Sequence, residues 1–204
     1  MAYRPDDPLI GTATQFLTHR LRRQASEGPL TMRHTTKPVL LIDIDGVLSL
    51  FGFPSDSRPP GTWINVDGVV HLISATASEH LHRLEALYEL VWCSGWEEKA
   101  NEHLVHTLRL ARPLPFLTFS PASEGANPPS EPRHWKLAAI EAHAGERPLA
   151  WIDDAHDDGC RAWAAAREAP TLLVATEPAL GLTEAQVVAL ERWARDLRVA
   201  SSAS

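Results

Sequence analysis

The run Val39-Leu40-Leu41-Ile42-Asp43-Ile44-Asp45-Gly46 carries an apolar segment into two aspartates one residue apart, followed by a glycine. Read as a strand, it places residues i and i+2 on one side, so Asp43 and Asp45 face a common site at its C-terminal edge. Two carboxylates held close repel unless a positive charge lies between them. A hard cation that prefers oxygen ligands, such as Mg²⁺, meets that need. Gly46 supplies the permissive backbone that a sharp exit beside a ligand requires.

Apolar strand-like runs occur at 39–44, 87–93, 115–119, 149–152 and 171–175, separated by helical patterns at about 76–86, 96–110, 133–144, 157–168 and 183–197. Thr183 and Gln186 fit a capping box at the last helix. Strands joined by helices of this length favour right-handed crossovers. The alternation predicts an α/β fold: a doubly wound, three-layer, Rossmann-like parallel sheet of about five strands. Such sheets bind ligands at the C-terminal ends of their strands.

Two stretches break the alternation. Residues 49–74 hold Pro54, Pro59, Pro60 and Gly61, then an apolar stretch interrupted by Asp67-Gly68, a tight-turn signal that predicts a β-hairpin flap beside the first strand's end. Residues 120–132 are rich in Ser, Pro and Gly and read as a loop. Ahead of the main domain, Leu9, Ile10, Ala13, Phe16, Leu17 and Leu21 fall at helical spacing before a Glu27-Gly28-Pro29 break. That pattern predicts an amphipathic helix over 9–23, packing on the core or joining copies into a homo-oligomer, with a membrane-surface role as the alternative. The organisation is thus an N-terminal helical extension, 1–36, and a main domain, 37–200, with Met32 as an alternative start.

The 204 residues suit one domain with a developed core, and 44% hydrophobic with 22% charged residues is the composition of a globular chain. No apolar run approaches the roughly 20 residues that cross a bilayer, and the N-terminus lacks a secretory pattern. The expected location is the cytoplasm. Cys93 and Cys160 read as buried thiols. A net charge of -7 argues against a dominant nucleic-acid footprint, although basic residues gather in the first 37 positions. Three of the nineteen basic residues are lysines, Lys37, Lys99 and Lys136. This arginine preference with abundant alanine points to a GC-rich, bacterial coding sequence.

Four signals in order resemble the haloacid dehalogenase (HAD) superfamily of phosphohydrolases: Asp43-Ile44-Asp45-Gly46-Val47, then Ser94 after Leu90-Val91-Trp92-Cys93, then Lys136, then Trp151-Ile152-Asp153-Asp154. The resemblance covers about residues 37–176. It implies Asp43 as nucleophile, Asp45 as general acid and base, Ser94 and Gly95 with Lys136 as phosphate-binding groups, and Mg²⁺ held by Asp43, the Asp45 carbonyl and Asp154. Asp153 would bond to the metal's waters or to Lys136. A carboxylate that takes and then releases a phosphoryl group splits one displacement into two. An aspartate two beyond the nucleophile points to phosphate-ester hydrolysis.

Neither 49–74 nor 120–132 is long enough for the family's substrate-selecting cap, so the expected site is open and suits a large phosphorylated substrate, a nucleic-acid end among them. The phrase from Val91 to Asn101 also resembles a bacterial HAD group associated with RNA repair. A phosphotransferase using the same residues, or a catalytically silent binding protein on this fold, are the alternatives.

Other residues are read more plainly. Trp63 and Trp96 are expected to pack in the flap or core, with stacking on a base or sugar as the alternative. Asn101 and Glu97 are expected on a solvated helix face, with a reach into the site as the alternative. His80, His82, His103 and His106 lack the thiolate or carboxylate partners of a zinc site. Asp157 is expected to cap the next helix, with a part in the metal shell as the alternative.

Overall fold

The computed structural model describes residues 37–119 and 134–202, so the helix at 9–23 and the loop at 120–132 lie outside the described residues. Strand β1 (Val39–Ile42) sits inside a four-stranded parallel sheet, and all four of its residues are buried. β5 (Glu89–Trp92) pairs with one side of it and β6 (Leu149–Asp153) with the other, and β7 (Thr171–Ala175) completes the order β5-β1-β6-β7. A strand covered on both faces can be continuously apolar. That is why Val39-Leu40-Leu41-Ile42 shows no polar alternation.

Among the described residues five helices form the two outer layers: α1 (Ala77–Glu85), α2 (Lys99–Thr107), α3 (Leu137–Ala144), α4 (Asp158–Ala166) and α5 (Glu184–Ser202). Leu40 and Ile42 pack with Leu81 and Leu84 of α1, Leu104 of α2 and Leu190 of α5. Val39 and Leu41 point the other way, into a core with Ile140 of α3 and Trp163 of α4. The connections on the two sides of β1 therefore use opposite faces of the sheet. This makes the C-terminal end of β1 the switch point where such sheets open a crevice.

Half of the capping box forms: Gln186 Oε1 accepts both the Thr183 amide and the Thr183 hydroxyl (2.8 Å each) at the start of α5, while the Gln186 amide bonds to the Thr183 carbonyl (3.1 Å). The run at 115–119 is the exception. It contributes only a single bridge, Phe116 opposite Trp92, not a fifth strand. Pro113 and Pro115 bring no amide hydrogens to a ladder, and a side chain takes over. Asn101 accepts from the Leu114 amide (2.9 Å) and the Trp92 indole (3.0 Å) and donates to the Leu114 carbonyl (2.8 Å). Asn101 is a structural latch, neither a solvated residue nor a site residue.

The flap is a second, antiparallel sheet in which β4 (Val69–Ser74) lies between β2 (Ser49–Leu50) and β3 (Gly61–Val66). Val66 faces Val69 across Asp67-Gly68, both at positive φ (51° and 87°), as a two-residue primed turn requires. Lys99 of α2 forms an ion pair with Asp67 and ties the hairpin tip to the helix.

Candidate active site

The parallel register sets the site. The Cys93 amide donates to the Ile42 carbonyl (2.8 Å), the Asp43 amide to the Ile152 carbonyl (3.0 Å), and the Thr176 amide to the Asp153 carbonyl (3.2 Å). Ser94, Asp43 and Asp153 consequently leave three adjacent strands at nearly the same level. Neighbouring strands lie about 4.8 Å apart, so their side chains share one edge.

Strand pairing ends at Ile42, two residues before the 39–44 expected from the apolar pattern. The Ile44 carbonyl accepts the amides of Val47, Leu48 and Ser49 (3.2, 2.9 and 2.9 Å), closing a tight loop that carries Asp45 off the strand. The relation between the two aspartates is thus set by a turn, not by the pleat. Gly46 at φ 71° makes the turn possible, and a Cβ there would come within 2.4 Å of Asp154 Oδ2. Only glycine lets this backbone approach Asp154 so closely.

The inner half of the site is a buried charge cluster. Lys136 Nζ lies 2.9 Å from Asp43 Oδ2 and 2.7 Å from Asp153 Oδ2. Asp43 Oδ1 accepts its neighbour's amide, Ile44 N–H (2.8 Å). Asp153 also accepts from the Trp151 indole (3.1 Å) and the Ala155 amide (2.9 Å), so it is firmly held and in turn holds the lysine. Burial raises the Asp43 carboxyl from 3.8 to about 6 against the opposing pull of Lys136. Burial also works against the Lys136 ammonium, but Asp43 and Asp153 outweigh it and keep its pKa above the usual lysine value. Asp154 is raised by burial and then by Asp153.

The outer half is built differently. Asp45 remains 47% exposed, and its Oδ2 accepts the Trp96 indole N–H (2.9 Å). His71 of β4 brings Nδ1 to 3.5 Å from Asp45 Oδ1 and 3.1 Å from the Ser49 hydroxyl, with its ring edge-on to Trp96 at 4.6 Å. The flap and the loop after β5 therefore grip the second aspartate from two sides.

A family model described as the HAD domain in Swiss Army Knife RNA repair proteins matches residues 39–187. The chain belongs to this HAD family. Comparison with curated proteins gives no match.

In this HAD domain the metal question turns on donor chemistry. Carboxylate oxygens of Asp43, Asp153 and Asp154 lie within 4.8 Å of one another, the one such group of possible ligands among the described residues. Three carboxylates face a single ammonium, which leaves the cluster negative, and an all-oxygen set suits a hard cation such as Mg²⁺. Asp153 is engaged by Lys136, Trp151 and Ala155 and Asp43 by Lys136 and the Ile44 amide, so Asp154 is the least engaged of the three donors.

Ser94 is buried at the end of β5, and its carbonyl accepts the Glu97 amide (3.0 Å) in the turn that sends Gly95 and Trp96 over the site. Trp96 packs against the core and against His71 of the flap, as expected, and its indole N–H also bonds to Asp45. Glu97 accepts the Phe119 amide (2.7 Å), and Asp157 caps α4 by accepting the Cys160 amide (2.7 Å). Trp63 stays half exposed on β3. His82 bonds to the carbonyls of Ser78 and Arg109, and His80 faces Glu184 at 3.4 Å. Cys93 and Cys160 are buried, and burial pushes both thiols up.

His71 is the site residue that sequence reasoning passed over. A lone histidine in a hairpin strand carries no chemical signature. Only the pairing of Ser49 with Ile73 in the β2–β4 ladder brings it beside Asp45.

Proposed function

We propose that this HAD domain is a Mg²⁺-dependent phosphatase that hydrolyses a terminal phosphate monoester, by way of an aspartyl-phosphate on Asp43, at an open site suited to a nucleic-acid end. The observation that carries the reading is the division of labour between the aspartates. Asp43 is buried against Lys136 at 2.9 Å, while Asp45 is half in solvent and oriented by the Trp96 indole at 2.9 Å.

In the first step an Asp43 carboxylate oxygen forms a bond to phosphorus as the ester oxygen leaves with a proton from Asp45. In the second, Asp45 takes a proton from water, the water oxygen attacks phosphorus, and the Asp43 carboxylate is released. Lys136 offsets the charge that two anions bring together, and Ser94 and the Gly95 backbone donate to phosphate oxygens. Mg²⁺, held by Asp43, Asp154 and the Asp45 carbonyl, would supply further neutralisation of the transferred group.

The RNA-repair description of the matching family and the small size of the flap support a polymeric substrate. Purified protein is expected to release phosphate from an aryl phosphate only with Mg²⁺, and Asp43→Asn to abolish release. Sustained turnover by that variant would overturn the mechanism. A panel of nucleotides, sugar phosphates, phosphopeptides and end-phosphorylated oligonucleotides tests the substrate class.

A further inference from the structure

Trp135 immediately precedes Lys136, yet it does the opposite of its neighbour: Lys136 is buried and Trp135 is 56% exposed. The ring is nevertheless held in place. Phe119 meets it edge-on at 4.5 Å, and the His134 ring lies nearly parallel at 6.1 Å. Its centroid is 5.1 Å from Lys136 Nζ, and its Cη2 tip is 3.8 Å from where a Cβ on Gly95 would stand. The indole thus spans the gap between the lysine and the Ser94-Gly95 turn, the two elements assigned to the phosphate. A large exposed ring fixed at that spot is within one sugar's reach of a phosphate bonded to Asp43.

We propose that Trp135 is the specificity-determining platform on which the terminal base of a phosphorylated nucleic acid stacks. The inference rests on the phosphatase reading and adds to it the group that the site recognises beyond the phosphate. An indole presents a π-face to any base, so selection favours a base at the phosphorylated end without reading which base it is. A shielding role for Trp135 over the lysine would instead affect every phosphate ester alike.

The test uses short single-stranded oligonucleotides phosphorylated at the 3′ or the 5′ end. Each has a twin whose terminal nucleotide lacks its base. Affinity is read from the anisotropy of a label at the far end with Mg²⁺ present, and kcat/KM from phosphate release. Wild-type protein is expected to favour the base-bearing member of a pair. Trp135→Ala lowers that preference ratio roughly fivefold or more, the lower end of what base–aromatic stacking supplies, and Trp135→Phe restores most of it. Equal losses on both twins, or an unchanged ratio, overturn the proposal. Phosphate release without a Trp135-dependent ratio removes the platform and leaves the phosphatase. A Trp135-dependent affinity ratio without phosphate release leaves the platform and removes the phosphatase.

Discussion

Asp43 and Asp45 stand two residues apart in the chain and live in two different materials. Asp43 belongs to the parallel sheet, where three strand ends and a buried lysine hold it largely shielded from water. Asp45 belongs to a loop gripped by a hairpin and a tryptophan, with 47% of its side chain in solvent. The sheet half is part of the core, whereas the outer half reaches Asp45 through His71 of the flap and through Trp96, a ring that also packs against that core. One carboxylate is thereby kept buried while its neighbour keeps access to water.

That contrast is broken most severely at Lys136. Lys136→Met leaves Asp43 and Asp153 buried without their cation, and losing one partner of a buried pair costs about 3–5 kcal/mol. Denaturant unfolding of metal-free protein should show that loss together with abolished phosphate release. Next comes Asp45→Asn, which should lower kcat by about 10²–10⁴-fold, the usual contribution of a general acid, with an unfolding midpoint close to wild type. The deficit should be larger for an alkyl phosphate than for an aryl phosphate, because the poorer leaving group depends more on the proton.

A pH series probes the buried half alone. The Asp43 carboxyl of the metal-free folded chain sits at about 6 against an ordinary 3.8, so the folded state holds the extra proton between those values. Its contribution to stability therefore falls as pH rises through that window. Mg²⁺ competes with the same proton, so the rise in unfolding midpoint on adding Mg²⁺ should be greater above about pH 6 than below it. A pH-independent rise would separate metal binding from Asp43. The smallest effect is expected for His71→Ala, which removes one side of the grip on Asp45. Turnover should fall by less than for Asp45→Asn while KM is nearly unchanged, and His71→Gln should recover part of the loss.

Much of this arrangement was legible in the chain. The apolar run before Asp43 and the Asp67-Gly68 turn depend on interactions a few residues long and appear as read, and the Thr183–Gln186 cap forms through the Gln186 side chain. The places that differ depend on distant partners. The 115–119 run has the apolarity of a strand, but its prolines and the Asn101 side chain reduce it to one bridge. Trp96 packs against core and flap as expected, but its bond to Asp45, 51 residues away, has no signal nearby in sequence.

By itself the sequence determined the α/β alternation, the strand ends that carry Asp43, Ser94 and Asp153-Asp154, and the one lysine placed to join them. Periodicity and local turn chemistry are properties of neighbouring residues, so they are written in order along the chain. Only the tertiary structure decided that Asp43 is buried and Asp45 open, that His71 and Trp96 hold the latter, and that Trp135 stands exposed beside Lys136. Burial and contact between segments dozens of residues apart arise from packing. Packing exists only once strands, flap and helices have closed around the end of β1.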